Sequence, residues 1–174
     1  MLNSQIIRIL KSGGVGVMPT DTLYGLVGKA SSKKAVERIY KIKGRDPKKP
    51  FIILISSIND LKKFRISNYV ILHNSIIKKK LWPGKVSIVI SGIAFRLPKK
   101  KSLIKILKQT GPLVAPSANP QGLRPAENIK QATKYFGDKV DFYLSGGTLK
   151  GKPSTLISIN KKGEIKVLRG ILKK

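Results

Sequence analysis

The chain has 174 residues with 36 Lys+Arg against 8 Asp+Glu, a formal charge of +28, and no cysteine. That length supports one domain with a real core, because a chain of this size buries roughly 70% of its unfolded surface. The missing cysteine excludes disulfides, thiolate zinc sites and a cysteine nucleophile. The charge attracts polyanions, nucleic acid among them, in a salt-dependent way. Lysines outnumber arginines 29 to 7 and isoleucines outnumber valines 23 to 10, which is also what a drift of codons toward A and T produces. Composition alone does not choose between an RNA-binding surface and that drift.

In chain order, the apolar set Ile6, Ile7, Ile9 and Leu10 predicts a helix from about Ser4 to Lys11, closed by Gly13 and Gly14. It is too short for a membrane span and lacks a secretory cleavage site, so a cytoplasmic protein without a membrane anchor is expected. "VGVMP" reads as a short buried strand ending at Pro19, and Thr20 to Gly28 as a loop. "SSKKAVERIYKIK" opens on serine caps and lines Ala35, Val36, Ile39, Tyr40 and Lys43 along one helical face up to Gly44. "FIILI" reads as a strand buried on both faces.

Short and longer helices are predicted near Asn59 to Phe64 and Asn68 to Lys80, followed by Pro83 and Gly84. "VSIVI" and "AFRLP", separated by "SGI", predict a hairpin. A helix over Ser102 to Gln109, a strand over Leu113 to Ala115 and the turn-rich loop "PSANPQGLRP" follow. A helix over Asn128 to Phe136 and a strand near Phe142 to Leu144 precede a hairpin of "STLISI" and "EIKVLR" around "NKKG". This order predicts an α/β fold, a single domain with a mixed sheet and flanking helices.

Familiar catalytic sets are missing. The lone His73 sits on a predicted helix, the eight acids show no metal-ligand spacing, and no phosphate-loop or dinucleotide fingerprint occurs. Ser, Thr, Asn, Lys and Arg remain, set in Gly/Pro-rich loops at strand ends. Such a set suits phosphoryl or adenylyl transfer, which needs positioning and charge stabilisation. In "KGR", Lys43 and Arg45 can converge on a polyphosphate, or simply complement a helix C-terminal dipole, and spacing alone favours the dipole. Ser117 and Asn119 in "PSAN" read equally as an anion nest or as an ordinary turn. Thr20 and Tyr24 in "MPTDTLYGL" read as site residues, or as a cap and a core aromatic.

Taken together and in order, "MPTDTLYGL", "KGR" before "KPF", "LWPGKVSIVI", "FRLP", "GPLVAPSANPQG", "KPSTLISI" and "VLRG" resemble the YrdC/Sua5 family of threonylcarbamoyl-AMP synthases, from residue 18 to 170. The resemblance implies a twisted open sheet with a basic concave surface, and ATP, L-threonine and bicarbonate as substrates. Magnesium would accompany ATP, held by phosphates and water, since the sequence offers no dedicated metal site. It implies catalytic roles for Lys43 and Arg45 on the nucleotide phosphates, with Arg45 also placed to reach the threonine carboxylate. Ser117, Asn119 and Arg169 then serve ATP, and Thr20, Tyr24, Arg96 and Ser154 serve threonine. It further implies handover of a labile product to other proteins of tRNA threonylcarbamoyladenosine synthesis, with tRNA or other structured RNA on the basic surface.

Three departures accompany the resemblance. The "SGI" connection is shorter than the family's, "LRGI" lacks a residue the family places between Arg and Gly, and the chain stops where the longer Sua5 branch continues. The short form of the family is therefore the expectation. The alternatives are a non-catalytic module for structured RNA and, behind it, a carbamoyl-transfer domain like that of hydrogenase maturation proteins.

Overall fold

The computed structural model describes residues 2–66, 81–160 and 162–172. The helix expected over 68–80, with His73, lies outside them.

Helix α1 (Leu2–Lys11) leads into β1 (Val15–Pro19) and β2 (Tyr24–Lys29). These strands pair antiparallel from Val15↔Gly28 to Pro19↔Tyr24, so the expected loop over Thr20 to Gly28 shrinks to residues 20–23. Gly25 and Gly28 look like breakers but are strand positions. A Cβ on Gly28 would stand 3.0 Å from Ile39 and 3.2 Å from Ala35, so glycine here lets helix α2 (Lys33–Lys43) lie close on the sheet. The Ser32 side chain caps α2 by accepting from the Ala35 N–H at 3.3 Å, and Gly44 closes it at φ 62°.

Strand β3 (Ile52–Leu54) is shorter than "FIILI", and Ile52 and Ile53 are only partly buried. A 3₁₀ helix (Ile58–Phe64) takes the place of the expected short α-helix. β4 (Val86–Ile90) and β5 (Ile93–Arg96) form the expected hairpin, but its turn is two residues, Ser91 and Gly92, both at positive φ. α3 (Lys101–Thr110), β6 (Leu113–Val114), α4 (Ile129–Phe136), β7 (Phe142–Tyr143), β8 (Thr155–Ile159) and β9 (Ile165–Arg169) follow close to expectation.

The strands form one twisted, open, mixed sheet in the order β7-β1-β2-β6-β3-β5-β4-β8-β9. β1–β7, β3–β5 and β4–β8 are parallel and the other pairs antiparallel. Side-chain alternation divides the core. Val17, Tyr24 and Leu26 pack with Ala35 and Ile39 of α2 and Ala132 and Phe136 of α4. Met18, Val27, Leu54 and Leu113 pack with Ile6 and Leu10 of α1 and Leu103, Ile106 and Leu107 of α3. Farther along, Ile88, Phe95 and Ile157 pack with Leu61 of the 3₁₀ helix. Alternation then directs Val89, Ala94 and Arg96 to the opposite face, where the small Ala94 and Gly92 help to leave room for a cavity.

Candidate active site

That cavity has a volume of about 450 Å³. Its floor includes Ile52, Ala94 and Val89, register neighbours across β3, β5 and β4. Its walls are the β1–β2 turn, the segment from Arg45 to Phe51, the start of the "PSAN" loop, Pro153 with Ser154, and Arg169 of β9. A wider depression of about 950 Å³ on the outer side of α2 shares only Arg45 with it and contains neither the β1–β2 turn nor the "PSAN" loop.

Arg96 is buried and held by the β1–β2 turn. Its Nη1 donates to Thr22 Oγ1 at 3.1 Å and its Nη2 pairs with Asp21 Oδ1 at 2.9 Å. Burial lowers its pKa, Asp21 opposes that, and Arg169 adds to it. The Arg96 Nε and Asp21 Oδ1 find no well-aligned hydrogen-bond partner among the described residues, an unsatisfied polarity within this buried pair. The turn is braced by Thr20, whose hydroxyl donates to Leu23 O at 2.7 Å and faces the Thr22 and Leu23 amides at 3.2 Å. Thr20 thus acts as a cap and also lines the cavity.

Tyr24 is fully buried, and its hydroxyl accepts from the Gly146 N–H at 2.8 Å and donates to Gly147 O at 2.7 Å. It therefore ties down the segment 145–153, which runs over the β1–β2 turn. A Cβ on Gly151 would fall 2.0 Å from Thr22 O, an approach only glycine permits. Ser154 lines the cavity, with its hydroxyl 2.8 Å from that of the buried Ser87. Arg169 also lines it, and its Nη2 donates to Ser154 O at 3.1 Å.

The "PSAN" loop continues the sheet beside β2. Leu26 N–H donates to Pro116 O, and the Ala118 and Asn119 N–H groups donate to Tyr24 O and Ser117 O. Those two amides are occupied, so the backbone anion nest is not formed by them. Lys43, only 3% exposed, reaches under the loop. Its ammonium donates to Ser117 O at 2.7 Å, Asn119 O at 2.6 Å and Asn119 Oδ1 at 3.1 Å. Burial, then the neighbouring Arg45, lower its pKa to about 8. Asn119 is equally engaged, its Nδ2 donating to Pro120 O and Leu123 O and its Oδ1 accepting from Ser117 Oγ at 2.7 Å. Lys43 and Asn119 stand behind the cavity wall, whereas Ser117 lines it.

Arg45 lies on the cavity side of Gly44. Its Nε donates to Lys49 O at 3.0 Å and its guanidinium stands 5.5 Å from the Phe51 ring centre. Lys48 and Lys49, to which the sequence motifs give no role, line the same wall. Asp21, Thr22 and Ser87 likewise have no role in the sequence motifs, although the first two lie within "MPTDTLYGL". Among the described residues no three His, Cys, Asp or Glu side chains group as metal ligands, and no helix is long and apolar enough to cross a membrane.

The open α/β sheet thus carries a cavity ringed by guanidinium, ammonium and hydroxyl groups, complementary in charge to an anion. A family model for Sua5, YciO and YrdC, described as "Telomere recombination", matches residues 8–170. The chain belongs to that family. A putative threonylcarbamoyl-AMP synthase of Methanocaldococcus jannaschii is 30% identical over 185 residues, 97% of this chain and 87% of the relative. The threonylcarbamoyl-AMP synthase of Pyrococcus abyssi is 28% identical over 168 residues, covering 87% of this chain and 49% of its own length. The chain thus spans about half of that relative. The crystal structure of P. abyssi Sua5 complexed with L-threonine superposes with a TM-score of 0.80 at 26% identity, over 96% of this chain and 53% of that one.

Proposed function

We propose that this chain, as one YrdC-like domain over 1–174, is a cytoplasmic L-threonylcarbamoyladenylate synthase that uses ATP, L-threonine and bicarbonate. The observation that carries the reading is the cavity, whose lining brings Arg96, Thr22, Ser154 and Arg169 together with Arg45 and Ser117. In this reading Arg96, with Thr20, Tyr24 and Ser154 shaping the pocket, receives the threonine carboxylate. Arg45, Ser117 and Arg169 receive the nucleotide, and Lys43 and Asn119 hold the loop that presents Ser117. The threonine amine and bicarbonate form a carbamate with loss of water. A carbamate oxygen then bonds to the α-phosphorus as its bond to the bridging oxygen breaks, and pyrophosphate leaves with that electron pair. Fixed cations stabilise the charge that develops there. Magnesium enters with the nucleotide, held by phosphates and water.

The product would serve threonylcarbamoylation of adenosine 37 in tRNA through other proteins of that route, with RNA on the basic surface. The test incubates the purified chain with ATP, threonine and bicarbonate and seeks threonylcarbamoyl-AMP by mass. The expected result is product that requires all three substrates and no RNA. Folded protein that makes none, yet binds structured RNA, would support the binding-module reading suggested by the +28 charge.

A further inference from the structure

The turn after α2 is built to carry two cations into the cavity. Asp46 opens it by accepting from the Lys48 N–H on its carboxylate at 2.9 Å and from the Lys49 N–H on its carbonyl at 3.0 Å, with Pro47 between. Lys49 O is then gripped by Arg45 Nε at 3.0 Å and by the Tyr40 hydroxyl at 3.3 Å, while Tyr40 stacks on Phe51 with ring centres 4.0 Å apart. The backbone is thus fixed from both sides, and the exposed Lys48 and Lys49 side chains belong to the cavity wall.

Charge decides what this wall can take. Among the described residues the lining includes Arg45, Lys48, Lys49, Arg96 and Arg169 and no carboxylate. Asp21 lies behind Arg96 and is spent on it, and Asp46 faces the outer depression. Lys43 contributes no free donor, because its ammonium is divided among three protein oxygens. Besides Arg45, the positive charge of "KIKGRDPKKP" therefore reaches the cavity from Lys48 and Lys49.

We infer that Lys48 and Lys49 form a polyphosphate subsite that receives the β- and γ-phosphates of the nucleotide and holds the departing pyrophosphate. This rests on the proposed reaction for its place in catalysis, but its ligand is recognised by charge alone. Lysine suits the task, since a compact ammonium with rotatable donors follows a group that moves away from the α-phosphorus. The nucleoside and α-phosphate are left to other walls of the cavity.

The test is calorimetric titration of the full chain with inorganic pyrophosphate and, separately, with AMP. Wild type is compared with K48Q/K49Q and with K41Q, a cation of the outer depression. The doubly substituted chain should lose roughly tenfold in pyrophosphate affinity, as two partly exposed ion pairs would give. AMP affinity should stay within about twofold, and K41Q should match wild type for both ligands. Equal weakening toward AMP and pyrophosphate, no weakening, an equal loss in K41Q, or no pyrophosphate binding by wild type would each overturn the subsite. Because no threonine or bicarbonate is present, failure of wild type to make product would count against the proposed reaction and leave this result standing by itself.

Discussion

Replacing Lys43 with methionine keeps most of the side-chain volume and deletes the ammonium. Three charge-assisted hydrogen bonds, to Ser117 O, Asn119 O and Asn119 Oδ1, are lost. At ~1.5–2 kcal/mol each they amount to ~5 kcal/mol. Against this stands the cost of burying the ammonium, which methionine does not incur. Burial, with repulsion from the neighbouring Arg45 added to it, lowers its pKa from the ordinary 10.5 to about 8, which sets the two costs together at ~3 kcal/mol. The net loss is ~2 kcal/mol, or about 4–8 °C in Tm for a chain of this size. Circular dichroism melts measure the shift, and hydrogen exchange should show faster exchange at Ala118 and Ala126, whose amides tie the "PSAN" loop to β2 and to itself. A K43M chain that melts with wild type and has lost only ATP affinity would refute this account, making Lys43 a phosphate ligand instead of a clamp.

A fall in activity as pH rises through about 8 is expected from the same group. Below that pH Lys43 is an ammonium with three donors for three acceptors, and above it a neutral amine with two. The descending limb should move to higher pH in K43R, and a pH–rate profile unchanged by that substitution would count against the assignment. Y24F removes the hydroxyl that bridges Gly146 and Gly147. The Gly146 amide should then exchange about tenfold faster, as ~1.4 kcal/mol of lost local stability requires. R96A strands the buried Asp21 carboxylate and should cost ~3–5 kcal/mol in urea unfolding. R96A/D21A should recover part of that loss, and strictly additive losses would show that the pair is not coupled.

The elements with caps and clean periodicity were legible in the residues, as α2 between Ser32 and Gly44 illustrates. β2 was not, because Gly25 and Gly28 look like punctuation until the neighbours that crowd them are known. The site was legible as a set of segments, and Thr20, Tyr24, Arg45, Arg96, Ser117, Ser154 and Arg169 do line one cavity. The direction in which a cation points was not legible. Lys43 lies on the helical face with Ile39, so burial takes it beneath a loop, whereas Lys48 and Lys49 follow a proline turn that aims them at the cavity. Ser87 reads as any polar strand residue, and only the parallel pairing of β4 with β8 brings it to Ser154.

The cavity wall draws on residues from Thr20 to Arg169, and this spread bears on when the site comes into being. A chain that ended after β7 would contain the residues of the Lys43 clamp and of the Arg96–Asp21 pair but neither Ser154 nor Arg169. The last hairpin must insert β8 alongside β4 in parallel before the wall closes, a long-range pairing of the slow kind. The pocket is therefore complete only once β8 and β9 have docked beside β4.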